Sequence, residues 1–363
     1  MNLGNTLGIP REVFKFTPDN RLILPSCRIG LEFEFEGVKG EPRLDRHEGR
    51  NPISVKDDWA AYWLVKADGS LHDLGCEWLF SRPLFGVDVV EAVTGLCDHA
   101  IKNKFKVSIR TALHAHIDVR DMLRIELARM NTLYCLFEKG VYNFAANNRE
   151  ENVFCIPWYK SDQMARHARN VSSESSDLRS ASEALANEKY SGLNLDSLAR
   201  FGSVEFRHAL TTTDAEWIFK WINLCLSFKR AAQKLAASPL ELVHNLSAIG
   251  VEAFARQVFE DQFQTIWYPQ LEHDVWSTGV ETALAVIPQQ QGIIDKANLS
   301  WNRASAAKAK TVNSSFKAYM DKPAKKEEPV ASRGSKLVFD FERVNLDLRR
   351  WAPVDDVEPE PEF

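Results

Sequence analysis

Three short segments carry acids, imidazoles and a guanidinium at a spacing of two: Gly30-Leu31-Glu32-Phe33-Glu34-Phe35-Glu36, Leu113-His114-Ala115-His116-Ile117-Asp118 and Val204-Glu205-Phe206-Arg207. Residues two apart in a strand point to the same face. Glu32, Glu34 and Glu36 therefore share a face opposite Leu31, Phe33 and Phe35. His114, His116 and Asp118 share another, as do Glu205 and Arg207. A sheet gathering these faces would hold carboxylates, imidazoles and a guanidinium together, an inventory suited to a divalent cation and a phosphoryl group.

Each segment alone has a plainer explanation. The three glutamates read equally as a solvated acidic face, although Glu is depleted in strands and like charges on one face repel without a cation between them. His114 and His116 read as satisfied sheet histidines or as paired imidazole ligands of the kind one strand face supplies to a metal. Glu205 and Arg207 read as a surface ion pair, or Arg207 as an oxyanion contact. Lys66-x-Asp68-Gly69-Ser70 is a turn, because Asp-Gly favours one. Asp68 and Glu77 gain a functional meaning only if the other segments converge. Asn148-Arg149 and Lys189-Tyr190 with Asn194 are ordinary by themselves. The chain has no G-x-x-x-x-G-K-[ST] loop, no G-x-G-x-x-G after a strand and no G-x-S-x-G. Any nucleotide would have to be held through metal ions and arginines.

The elements that must position these residues follow from periodicity. Residues 1–27 read as a leader packed on the core, followed by a strand over 28–36. Residues 37–58 form a polar loop, Trp63–Lys66 a strand entering the Asp-Gly turn, and Cys76–Phe80 its return. Helices are predicted over about 88–103, over 121–139 with Asp121 as cap and Gly140 as stop, and from a Thr213-x-x-Glu216 capping box to about Leu235. Within a core of 28–235, residues 160–188 are rich in Ser, Arg and Glu and read as a polar helical insertion or a mobile flap. Residues 236–320 read as a helical extension with breaks near Pro269, Gly279 and Pro288. A linker over 321–336 follows, then a short strand (337–341) and an acidic tail within 337–363.

The 363 residues suffice for one large or two ordinary domains, and 45% hydrophobic with 26% charged residues describes a soluble globular chain. A net charge of −5 gives no general attraction to nucleic acid or an anionic membrane. No apolar run reaches bilayer length, and the first ten residues lack a basic stretch followed by an apolar one, so neither a membrane span nor a secretory signal is predicted. The six cysteines form no C-x-x-C pair and read as reduced thiols of a cytoplasmic protein.

In order, Gly30-x-Glu32-x-Glu34, Val65-Lys66-x-Asp68-Gly69-Ser70-Leu71, Gly75-x-Glu77 leading into Ser81-x-Pro83-Leu84-x-Gly86, Leu113-His114-x-His116-Ile117-Asp118, Asn148-Arg149, Lys189-Tyr190-x-x-Leu193-Asn194-Leu195 and Val204-Glu205-Phe206-Arg207-His208 together resemble the amidoligase family. That family is related to glutamine synthetase and glutamate–cysteine ligase and is common in phages and bacteria. The resemblance covers about residues 25–235. It implies an α+β fold whose antiparallel, glutamine synthetase-like sheet has a concave face holding ATP and Mg²⁺ or Mn²⁺. It also implies Glu32, Glu34, Glu77, His116 and Glu205 as metal ligands, and Arg149 and Arg207 as phosphate or acyl-phosphate contacts. Asp68 would bind substrate or support a ligand, Lys66 and Asn194 would contact the nucleotide, and Lys189 and Tyr190 would order the flap. Ala112 stands where the family usually has glycine, and Trp78-Leu79-Phe80 replaces a simpler run after Glu77. Neither departure removes a predicted ligand.

The activity implied is ATP-dependent amide formation through an acyl phosphate, in the cytoplasm or, for a phage protein, the host cytoplasm. Its partners would be small molecules, peptides or proteins bearing a carboxylate and an amine, with a homo-oligomer allowed and neither nucleic acid nor membrane expected. Two rivals stand beside it: a retired, partner-binding protein on the same fold, and a metal-dependent hydrolase that turns over without nucleotide.

Overall fold

Alternation decides the sheet. In β1 (Ile29–Phe35) the side chains of Ile29, Leu31, Phe33 and Phe35 are fully buried, each worth roughly 1.5–3 kcal/mol of transfer free energy. Glu32 and Glu34 are thereby turned to the opposite face. The computed structural model describes residues 1–9, 28–38, 55–145, 149–183 and 188–288. Six strands, β1, β2 (Trp63–Ala67), β3 (Cys76–Phe80), β4 (Ala112–Asp118), β5 (Leu193–Asn194) and β6 (Ser203–Leu210), form one sheet in the order β2-β3-β1-β4-β6-β5. Every neighbouring pair is antiparallel. The fold is α+β.

The register lays the polar face out in rows. Lys66, Glu77 and Glu34 lie in one row across β2, β3 and β1. Glu32 and His114 are partners in the next. Gly30, His116, Glu205 and Asn194 make the third. Between the last two rows β4 and β6 lose step: Leu113 pairs with Ala209 but Ala115 pairs with Phe206. Arg207 and His208 thus both stand opposite His114, as in a β-bulge, which re-aims side chains and is enriched beside active sites.

Helices cover the other face. In chain order they are α1 (Leu3–Leu7), α2 (Val87–Lys102), α3 (Arg124–Ala145), α4 (Asp162–Ser172), α5 (Leu178–Ser182), α6 (Ser197–Phe201), α7 (Ala215–Lys234), α8 (Pro239–Ile249) and α9 (Val251–Phe259), with further helical turns to Val286. Phe206 of β6 packs against Tyr134 of α3 and against Trp221 and Phe228 of α7. Trp63 of β2 donates its indole N–H to the Ala92 carbonyl of α2 at 3.1 Å. No described helix is long and apolar enough to cross a membrane. Cys76, Cys97, Cys135, Cys155 and Cys225 are buried and in no disulfide.

Several sequence expectations are corrected here. Helix α3 runs past Gly140 to Ala145, because that glycine admits Ile266: a Cβ there would lie 2.8 Å from Ile266 Cδ1. Asp121 does not cap α3. Its carboxylate receives Lys229 Nζ at 2.6 Å, and Glu126 instead accepts the Leu123 N–H at 2.6 Å. The cap of α7 is Asp214, whose carboxylate accepts the Trp217 N–H. Of the two readings of 160–188, the described residues 160–183 fit the helical insertion, with α4 and α5 in it: Met164, Ala165, Ala168, Val171 and Leu178 are buried, and Arg124 of α3 donates to the carbonyls of Val171 and Ser173. Gly279 lies inside a helical run from Leu271 to Val286 and makes no break. The linker at 321–336, the strand at 337–341 and the tail lie outside the described residues, as do Asn148 and Cys27.

Candidate functional site

The third row and its neighbour build a compact cluster. Glu32, His116 and Glu205 each offer one ligand-type atom within 4.8 Å of the others. His114 Nδ1 sits 3.2 Å from Glu32 Oε2 and 3.2 Å from Glu205 Oε1, bridging the two carboxylates. His116 Nε2 lies 3.3 Å from Glu32 Oε1 and 3.9 Å from Glu205 Oε1. Glu205 is held on both oxygens: Arg207 Nη1 reaches Oε1 at 2.5 Å and Asn194 Nδ2 donates to Oε2 at 2.7 Å.

His116 tests whether a cation fits. Its Nδ1 contacts Ser203 Oγ at 3.2 Å, which fixes the ring. Its Nε2 is buried, faces both carboxylates and has no hydrogen-bond partner, the 3.3 Å approach to Glu32 being misaligned for one. Two carboxylates and an imidazole nitrogen left without a partner form a donor set that a divalent ion of the magnesium–manganese–zinc range accepts. Ser203 and Asn194 then supply the outer hydrogen bonds that orient such ligands.

The charges agree with this reading. Burial opposes ionisation of Glu32, but the His114 hydrogen bond and the two imidazoles hold its pKa well below the usual carboxylate range. Burial likewise opposes ionisation of Glu205, yet Arg207 and the imidazoles keep its pKa low. Burial and the Arg207 charge push the His114 pKa down, leaving that ring neutral. His116 is also buried, but Glu205 and Glu32 raise its pKa. A cation bound between the carboxylates would compete with protonation of that ring.

The other predicted residues lie around the cluster or apart from it. Glu34 does not enter the cluster; its Oε2 accepts the Ala112 N–H at 2.7 Å, and burial pushes its pKa up to about 8. Glu77 borders the cluster: its side chain lies beside Glu32 while pairing with Lys66 Nζ at 3.2 Å, and burial together with the Glu32 charge raises its pKa to about 7. Asp68 accepts the Ser70 N–H at 2.7 Å and shapes the β2–β3 turn. Asp118 is engaged by Arg120. Arg149 is 3% exposed and faces the backbone of β6, not the cluster. Sequence reasoning missed Ser203, although its place two residues before Glu205 puts it on the same face. It also missed Phe201, an exposed ring set edge-on to His116 at 5.9 Å.

Glu34 gives a pH prediction. Its folded pKa of about 8 exceeds the ordinary 4.5, so the folded chain keeps a proton that the unfolded chain sheds. The stabilisation is complete below pH 4.5 and is lost as pH rises through 8. Glu34→Gln keeps the acceptor for Ala112 and cannot ionise. In the presence of a chelator, its thermal midpoint is expected to fall less than that of the parent between pH 5 and pH 8. The corresponding difference in unfolding free energy is on the order of a few kcal/mol. Parallel pH profiles would show that Glu34 is ionised in the fold.

Comparison of the chain with protein-family models, with curated proteins and with solved structures finds no match in any of the three.

Proposed function

We propose that the protein is an ATP-dependent carboxylate–amine ligase on a glutamine synthetase-like sheet, with a divalent cation held by Glu32, His116 and Glu205. The observation that carries this reading is the convergence of those three residues on one sheet face, with His116 Nε2 buried and without a hydrogen bond. The order of motifs along 25–235 supports it. A bound Mg²⁺ or Mn²⁺ would supply charge neutralisation for phosphate oxygens. The substrate carboxylate would attack the γ-phosphorus, expelling ADP and leaving an acyl phosphate. An amine would then attack the acyl carbon, releasing phosphate and losing its proton to a base. Within that sequence Arg207 offers a fixed guanidinium beside the cluster, and His114 holds Glu32 and Glu205 at one separation.

One observation favours a second reading. Arg149 is spent on backbone carbonyls, so only one of the two arginines expected to meet phosphate lies at the cluster. A metal site that acts without nucleotide, as in a hydrolase, needs fewer cations. Isothermal titration with Mn²⁺, followed by a non-hydrolysable ATP analogue, separates the two. The ligase predicts that the analogue binds only with metal present and that Glu32→Gln and Glu205→Gln abolish it. Metal binding without nucleotide binding selects the second reading, and a folded protein that binds neither overturns both.

A further inference from the structure

We propose that Arg149 is a positioning residue that sets the cluster from behind by clamping the irregular turn of β6. The register shift leaves Arg207 and His208 both opposite His114, so their carbonyls fall outside the regular ladder. Arg149 collects both: its Nε donates to the His208 carbonyl at 2.8 Å and its Nη2 to the Arg207 carbonyl at 2.9 Å. A planar guanidinium fork presents two N–H donors from separate nitrogens at a fixed spacing to acceptors on adjacent residues, a geometry a lysine's single nitrogen does not reproduce.

The two bulge side chains leave in opposite directions. The His208 ring enters the core, where its Nε2 lies 2.8 Å from Tyr134 Oη. That hydroxyl spends its proton on Glu138 Oε1 at 2.8 Å, so His208 must donate through Nε2–H. Glu138 is anchored by the backbone N–H groups of Trp158 and Tyr159. Arg207 turns to the polar face, with its N–H on the Gly192 carbonyl at 2.8 Å, its Nε on Phe154 O at 3.3 Å and its Nη1 on Glu205. The backbone between them is thus fixed at the point where one residue more or less would move Arg207 off Glu205. Arg149 touches neither Glu205 nor the cluster. Its effect on ligand binding passes through Arg207.

This inference rests on the proposed metal site for one readout and stands apart from it for the other. Wild type, Arg149→Ala and Arg149→Lys are titrated with Mn²⁺ by electron paramagnetic resonance. The Arg207 Nε–H resonance, assigned with an Arg207→Lys variant, is followed by NMR, and urea unfolding checks that each variant is folded. Arg149→Ala is expected to weaken Mn²⁺ binding about tenfold, in the range typical of lost outer-shell support. It is also expected to shift the Arg207 resonance. Millimolar methylguanidinium restores both and ethylammonium restores neither. If Arg149→Ala does not fold, Arg149→Lys carries the test, with the same weakening and shift expected. A folded variant with wild-type Mn²⁺ affinity and an unmoved Arg207 resonance overturns the clamp. Should wild type bind no Mn²⁺, the ligand set of the proposed function fails, and the Arg207 resonance alone decides: a shift upholds the clamp, no shift overturns it.

Discussion

Glu205→Ala is expected to destabilise the fold by about 3–5 kcal/mol, the largest single effect at the cluster. Glu205 is 4% exposed and is the only carboxylate, among the described residues, in an ion pair with Arg207. Removing it leaves a guanidinium, only 17% exposed, without its ion-pair partner and unable to lose its proton. It also strands Asn194 Nδ2, whose 2.7 Å bond goes to Glu205. Breaking a buried pair costs far more than replacing both partners, because the surviving charge bears the full desolvation penalty. Glu205→Ala combined with Arg207→Met should therefore be more stable than Glu205→Ala alone. Urea midpoints at constant m-value measure this cycle. A loss below about 1 kcal/mol for Glu205→Ala, within the range of exposed pairs, would show that Arg207 is solvated and the pair is not built into the sheet.

The same pair marks what the sequence reveals and what it withholds. The faces of β1 and β4 were legible because a period of two is a local property: Phe33 buried predicts Glu32 and Glu34 turned away, and that is their arrangement. The convergence of Glu32, His116 and Glu205 required three segments far apart in the chain to pair in one register, which the motif order anticipated and periodicity could not. Which glutamate joins the cluster was hidden. Glu34 lies one step along the same face, beside Glu77 of β3 rather than His114 of β4, and the Ala112 N–H takes its carboxylate. Arg149 misled for a related reason. Its charge suggested an anion, but its partners are two carbonyls freed by a shift in strand register, and side-chain types do not encode that shift. Asp121 and Gly140 carry local signals for a cap and a stop, and both were overridden by tertiary partners, Lys229 and Ile266.

Gly192→Ala is expected to cost about 2–5 kcal/mol, combining overpacking with damage to a buried polar node. A Cβ at this position would lie 2.4 Å from Tyr142 Oη, 2.7 Å from His208 Nε2 and 3.0 Å from Tyr134 Oη. These hydroxyls cannot retreat freely: Tyr142 donates to the Cys155 carbonyl at 2.9 Å and Tyr134 to Glu138. The backbone has no more freedom, since Gly192 donates to Ile156 O at 2.9 Å and accepts the Arg207 N–H at 2.8 Å. The strain must therefore move either the His208 ring or the segment that holds Arg207. Tyr142→Phe removes the nearest clashing atom and alone should cost about 1 kcal/mol for its hydrogen bond. Combined with Gly192→Ala it should cost less than the sum of the two, because the phenyl ring leaves room for the methyl group. A double-mutant cycle from urea unfolding reads that coupling directly. Strict additivity would mean that His208 and Tyr134, not Tyr142, bear the clash, and Tyr134→Phe would then be the substitution that relieves it.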